Sequence, residues 1–320
     1  MRICRLVSLV VLIVIFGPGW LLANHGPGAS GGGAATISGE VLKPEHFELE
    51  LREDYSEFQH FNPAGAIQRA AQGGDFDALD RGFFTSLSGA YGLFPNFQIG
   101  AGIGYFVGQH FVSSSQQPDG TTTVGEVNPT GFTDLVVIGK YRVLQGKPGN
   151  LSLIAGVVFP TGRSDVKNNL GEQLSPTDQP GTGRWGIPFG LAYSRFLTPR
   201  ITIDASVLYI YRFEAGGFKV GDRFDAGMAI AYRLTESIRQ FPNYSVFLEL
   251  NNVYLAYDQQ DGARDPNSGG DTLYLTPGFR VRFDKTWALT VAPSVPVYEN
   301  LYGNQGRVNF KLAIALSYAY

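Results

Sequence analysis

The sequence predicts an all-β protein, a transmembrane antiparallel up-and-down β-barrel of about twelve strands. Three observations carry that expectation. Hydrophobicity alternates with period two in segment after segment. The connections between those segments are alternately short and long. Beyond the amino terminus no stretch holds eighteen consecutive apolar residues, so re-entry into a membrane has to be by strands.

The composition agrees. Glycine is abundant, at 41 of 320 residues, charged residues are only 17% and aromatics reach 13%. Glycine with Tyr and Phe favours strands over helices. A mean hydropathy near zero suits a sheet with half its side chains toward lipid and half toward water.

Residues 1–23 read as a signal peptide, with Arg2 and Arg5 before the apolar run Leu6 to Phe16 and a cleavage site after Ala23. The lone Cys4 falls inside it, so the mature chain carries no thiol. Losing two arginines moves the net charge from −3 to about −5, a mild acidity that implies no nucleic-acid partner. Residues 24–46, with Gly31 to Gly33 at the centre, read as a flexible periplasmic arm. Residues 47–320 are the expected barrel.

Its strands are expected at roughly 47–58, 82–94, 97–111, 131–144, 151–160, 186–197, 201–213, 222–235, 244–257, 272–284 and 287–298, closed by Asn309 to Tyr320. The last is the clearest. Phe310, Leu312, Ile314, Leu316, Tyr318 and Tyr320 share one face, and Asn309, Lys311, Ala313, Ala315, Ser317 and Ala319 the other. In 201–213, Leu208 and Ile210 blur an otherwise polar face. Short turns, such as Pro95-Asn96 and Asp284 to Thr286, alternate with long polar loops at 59–81, 112–130, 161–185, 214–221, 258–271 and 299–306. That is the outer-membrane arrangement, with both termini in the periplasm. A soluble β-sandwich would instead turn a polar face outward.

The inward face is charged: Glu48, Glu50, Arg52, Asp54, Asp134, Lys140, Arg142, Asp204, Arg212, Arg223, Asp225, Arg233, Glu249, Arg280, Arg282 and Lys311. Its acids and bases nearly balance, so it fits ion-pair networks filling the lumen or a pore that selects solute. Gly100, Gly102 and Gly104 leave room on one wall for a solute or a packed loop. Across the closing seam Lys311 is expected to approach Glu48 and Glu50.

Several motifs carry less. Gly181-Thr-Gly183-Arg-Trp-Gly186 matches a dinucleotide fingerprint in spelling but lacks the strand before and helix after it. Asp258, Asp261, Asp265 and Asp271 do not have calcium-loop spacing and read as a solvated loop. His25, His46, His60 and His110 show no metal or triad spacing, although cleavage after Leu22 would place His25 third, a copper-binding arrangement. His110 with Ser113, Ser114 and Ser115 has the residue types of an outer-membrane phospholipase without its His-x-Ser-Asn-Gly signature, and strand parity points His110 inward.

Residues 156–162 (Gly156-Val-Val-Phe-Pro-Thr-Gly162), 179–185 (Gln179-Pro-Gly-Thr-Gly-Arg-Trp185) and 190–195, then Asn267-Ser-Gly269-Gly270, Leu275-Thr-Pro277-Gly278 and Pro296-Val-Tyr298, resemble the outer-membrane transporters named for the meta pathway of phenol degradation. The likeness covers roughly 150–320. It implies a barrel and uptake of small, aromatic or hydrophobic molecules, and supplies no catalytic, cofactor-binding or metal-binding residue. Tyr318-Ala-Tyr320 is similar to the signal read by the outer-membrane insertion machinery, with Ala315 where that signal usually has Gly.

The expected function is therefore passive passage of a small solute across the bacterial outer membrane, without enzymatic activity or cofactor. A closed structural or adhesive barrel and an outer-membrane hydrolase are the other readings. Expected partners are outer-membrane lipid and lipopolysaccharide, the insertion machinery through Tyr318 and Tyr320, and the solute.

Overall fold

The computed structural model describes residues 33–73, 76–116 and 121–320. The expected signal peptide, His25 and the first part of the expected arm lie outside them. In chain order the elements are β1 (Phe47–Phe58), α1 (Pro63–Gly73), β2 (Phe76–Phe94), β3 (Phe97–Gln116), β4 (Thr122–Val127), β5 (Thr130–Phe132), β6 (Leu135–Leu144), β7 (Asn150–Phe159) and β8 (Gly186–Phe196). Then follow β9 (Ile201–Arg212), β10 (Phe218–Lys219), β11 (Arg223–Arg233), β12 (Asn243–Leu255), β13 (Gln259–Gln260), β14 (Ala263–Arg264), β15 (Gly270–Arg282), β16 (Trp287–Leu301) and β17 (Val308–Ala319).

Twelve of these strands form the wall. Each pairs antiparallel with its neighbour in sequence, from β1–β2 and β2–β3 round to β16–β17, and β17 pairs β1 to close the cylinder. Closure leaves no strand edge unpaired, the condition for a sheet in hydrocarbon. At the seam Tyr320 N–H donates to Phe47 O at 2.9 Å and Phe47 N–H donates back at 3.1 Å.

Side-chain alternation makes the two faces. On β1, Leu49 and Leu51 are exposed while Glu48, Glu50 and Arg52 are buried. On β17, Ile314 and Leu316 point out and Ala313, Ala315 and Ser317 point in. Aromatic pairs ring the outer face at both levels. Phe47–Tyr318 and Trp287–Tyr318 lie at the short-turn end, Tyr105–Phe132 and Phe159–Trp185 at the long-loop end. Rings with an apolar body and a polar tip settle at headgroup level.

Two regions expected as loops are ordered. β2 begins at Phe76 and β3 runs to Gln116, so their hairpin rises past the wall and adds β4. Over it lies α1, begun by Pro63 and capped by Asn62, whose Oδ1 accepts from Gly65 N–H at 2.8 Å. Ala66 and Ala70 pack under Phe61, Phe76, Ala78 and Val112. This Ala-rich segment carries helix propensity that the surrounding polar residues masked.

Candidate functional site: a lumen closed from both ends

Residues 33–43 are the main departure from expectation. They form no free arm. The segment enters the barrel at the short-turn mouth and runs to mid-wall, with Ala34, Thr36, Ile37, Ser38 and Val41 buried. A buried chain has to satisfy its backbone groups, and here the wall's charged and hydroxyl side chains do so. The Glu249 carboxylate, fully buried, accepts from three successive amides, Ala34, Ala35 and Thr36, and from Thr36 Oγ1. Arg52 Nη1 donates to Ala34 O, and Arg280 Nη2 donates to Gly33 O at 3.2 Å. Lys140 Nζ donates to Ser38 O at 3.0 Å, and Ser152 to Gly39 O at 2.6 Å. Leu42 N–H donates to Gln98 Oε1 at 2.8 Å.

One hydroxyl links wall and segment further. Ser194 Oγ accepts Gly39 N–H at 2.7 Å and donates to Asp204, so in its 3.0 Å contact with Ser38 the Ser38 hydroxyl is the donor. Gly39 fits because it has no side chain, since a Cβ there would lie 2.4 Å from Asn150 O. Ile37 packs on Ile154, Ala192, Leu208 and Ile210. The two apolar residues that blurred β9 are thus the bed of an apolar anchor.

From the other end, loop 160–185 folds into the mouth. Its Val166 and Leu174 join Phe58, Leu79, Phe111, Val253, Tyr274 and Val308 in one buried cluster. Gln179 ties the loop to itself, accepting from Val166 N–H and donating to Val166 O and Leu174 O. Asp134, fully buried, accepts from Gly162 N–H at 2.9 Å, Thr182 N–H at 2.8 Å and Thr182 Oγ1 at 2.7 Å. Asp134→Asn keeps only one acceptor oxygen. The expected result is a loosened loop 160–185, a loss of about 1–3 kcal/mol locally, read as faster proteolysis between 163 and 185 with the wall intact.

Between these closures and the solvent lie two chambers. The outer, about 540 Å³, is lined by Asp77, Asp178, Arg212, Asp258 and Asp265 among others. Burial pushes Asp258 up to about 6 against the lowering effect of the Gly221 N–H bond. Asp178 is also raised, by burial and by Asp77, Asp258 and Asp265. The inner chamber, about 420 Å³, lies among Glu40, Lys43, His46, Glu48, Lys140 and Arg142.

The predicted interior set divides accordingly. Glu48, Glu50, Arg52, Lys140, Asp204, Glu249 and Arg280 surround or abut the inserted segment. Nearer the outer chamber, Arg223 pairs with Asp225 at 2.8 Å and Arg212 donates to Gly221 O. Arg142 and Arg233 hold short turns, through Pro95 O and Pro199 O, and Arg282 lies over Phe241. Asp134 serves the loop.

The seam differs from expectation. The register sets Lys311 opposite Ser56, and Glu50 instead receives the Ser317 hydroxyl at 3.1 Å. Lys311 Nζ sits 4.3 Å from the Tyr274 ring centre. Antiparallel pairing makes the residue numbers across the seam sum to a constant, which puts Lys311 three inward positions away from Glu50.

Of the three inward glycines, Gly104 lies under the Phe84 ring, and Gly100 and Gly102 line a gap of about 40 Å³ beside Ile37. Asp258 and Asp271 are buried and Asp261 and Asp265 exposed, so the four do not form one solvated set. His110 does not point inward. A left-handed backbone, φ 54°, turns it toward Asp80 and His60 at the long-loop rim.

A family model described as MetA-pathway of phenol degradation matches residues 68–311. Among solved structures, an outer-membrane channel from Pseudomonas putida F1 is similar at 15% identity and TM-score 0.57, over 88% of this chain and 97% of that one. A KdgM porin, at 9% identity and TM-score 0.44, covers 85% and 99%. A monoaromatic hydrocarbon channel, CymD, stands at 10% identity and TM-score 0.40, over 88% and 89%. No curated protein sequence matches.

Proposed function

The chain belongs to the MetA-pathway of phenol degradation family, and from that premise we propose that it is a gated outer-membrane channel for passive passage of a small solute. The observation that carries this reading is the segment 33–43. It closes the lumen between mid-wall and the inner chamber, and it is held by hydrogen bonds to side chains and not by sheet pairing with the wall. Side-chain bonds to a strand-free segment can be exchanged for water without breaking the wall. Long loops face outward in such barrels, so the acidic chamber is the entry and the inner chamber the periplasmic exit.

The solute we propose is small and aromatic or hydrophobic. The family description supports it, and so does the apolar bed of Ile154, Ala192, Leu208 and Ile210 that the segment would uncover on leaving.

The filled lumen also favours a second reading, a permanently closed structural barrel. Conductance in planar bilayers separates the two. A gated channel gives brief openings in the parent and a persistent open state when residues 33–43 are deleted. A silent parent together with a silent deletion variant that still shows heat-modifiable electrophoresis would reject transport.

A further inference from the structure

We propose that His60, Asp80 and His110 form a binding site for a late first-row divalent cation, such as Zn²⁺, on the outer rim of the barrel. The three come from neighbouring elements, His60 just past β1, Asp80 on β2 and His110 on β3. His60 Nδ1 lies 2.6 Å and His110 Nδ1 2.8 Å from the same Asp80 Oδ2. The two rings stack with centroids 5.5 Å apart. All three donor atoms fall within 4.8 Å of one another.

The local backbone is shaped to make this meeting. Phe111 is buried toward the lumen and Gln109 is exposed, so His110 sits at a break in the alternation of β3. Its φ of 54° is a conformation that residues with a Cβ adopt at some cost. The Asn128 side chain holds it there by accepting His110 N–H at 2.7 Å. A break of this kind re-aims one side chain, and here it turns the imidazole from the lumen onto Asp80.

Two imidazole nitrogens and one carboxylate oxygen suit Zn²⁺, Cu²⁺ or Ni²⁺, whereas Mg²⁺ and Ca²⁺ take oxygen donors. Bonds of about 2.0–2.1 Å in a tetrahedron set donor atoms roughly 3.3 Å apart. The observed 2.6 and 2.8 Å must therefore widen by about 0.5–0.7 Å. Side-chain rotation can supply that, because His60 is two-thirds exposed and His110 one-third. Remaining coordination positions face solvent and would hold water. A bound ion would tie the turn between β1 and α1 to the wall, and so steady the helix beside the outer mouth.

The plain competing arrangement is two histidines sharing one carboxylate through hydrogen bonds, with no ion. Calorimetric titration of the full chain in detergent, purified without a histidine tag, with Zn²⁺ distinguishes them. The site predicts one saturable Zn²⁺ per chain, no comparable Mg²⁺ binding, and at least about tenfold weaker Zn²⁺ binding in each of His60→Gln, Asp80→Asn and His110→Asn. Asn is chosen at 110 because it tolerates the left-handed backbone. Heat-modifiable electrophoresis reports that each variant is folded. Hydrogen exchange at residues 59–62 should slow with Zn²⁺ in the parent alone. Absence of stoichiometric binding in the parent, or binding unchanged in any one of the three folded variants, would overturn the proposal.

Discussion

Replacing Glu249 by Ala should open the barrel. Three consecutive amides, Ala34, Ala35 and Thr36, and the Thr36 hydroxyl all donate to that one carboxylate inside the wall. Each buried donor left without an acceptor costs about 1–3 kcal/mol. Removing the acid also takes away one of the negative charges, alongside Glu50, that face the guanidinium groups of Arg52 and Arg280, both of which bond to this stretch of chain. A summed penalty of several kcal/mol exceeds what the remaining bonds of an eleven-residue segment can hold, given about 1–2 kcal/mol of backbone entropy per ordered residue. The segment should leave the lumen, and the variant should show persistent conductance in planar bilayers. Glu249→Gln retains one acceptor oxygen and should give a shorter-lived open state. Ser206→Ala removes a single bond, to Ile37 N–H at 3.0 Å, and should leave gating close to that of the parent. The wall should survive in all three, because none of these residues interrupts the strand ladder. An Ala variant no more conductive than the parent would mean that the segment is not a gate.

The wall was legible in the sequence because a two-residue period is written into every strand. Of the expected boundaries, 47–58, 186–197 and 201–213 fall within a residue of β1, β8 and β9. What fills the wall was not legible. Gly33 to Val41 has no periodicity and no apolar run, which is the composition of a linker. The same features let it lie inside a polar lumen, where glycine and alanine fit between wall side chains. One signal did exist. Leu208 and Ile210 are apolar on a face that should be polar, and an apolar pair inside an aqueous lumen asks for an apolar partner, which Ile37 supplies. The buried acid Glu249 gave the complementary hint, because a carboxylate on the inward face needs donors, and here the inserted segment supplies them. Likewise Gly162 and Gly181, inside the stretches that resemble the transporter family, have a steric reason to be glycine. The chain crosses itself there over Asp134, and a Cβ on Gly162 would lie 2.6 Å from the Gly181 Cα. The His60–Asp80–His110 meeting depends on a break in strand alternation that parity alone cannot foresee.

Substituting arginine at two adjacent positions of β17 should damage the protein in two different ways. Ile314 is exposed on the outer face, opposite Glu53 on β1 and Val291 on β16, midway between the ends of the strand. Arg at the bilayer midplane costs about 2–4 kcal/mol, so Ile314→Arg should lower the unfolding midpoint in lipid and slow insertion, while the closed lumen stays closed. Ala315 is buried on the inner face, with Arg52 beside it on β1 and Thr290 on β16. An empty aqueous lumen would tolerate a new arginine there, since water would hydrate it. This lumen is not empty. Arg52 bonds to both Asp54 and the inserted Ala34, and Arg280 donates to Thr290, so a third guanidinium arrives among two cations already in place. Crowding and like charge fall on the segment, which is held only by side chains. Ala315→Arg should therefore change stability in lipid less than Ile314→Arg does, yet release the segment and produce conductance. The measurement is paired, with unfolding midpoint and single-channel current taken for both variants in the same lipid. Loss of stability without current at 314, and current with the smaller loss of stability at 315, is the expected pattern. The reverse assignment would mean that the inner and outer faces of β17 have been exchanged, and equal loss at both without current would mean that the lumen yields no more readily than the wall.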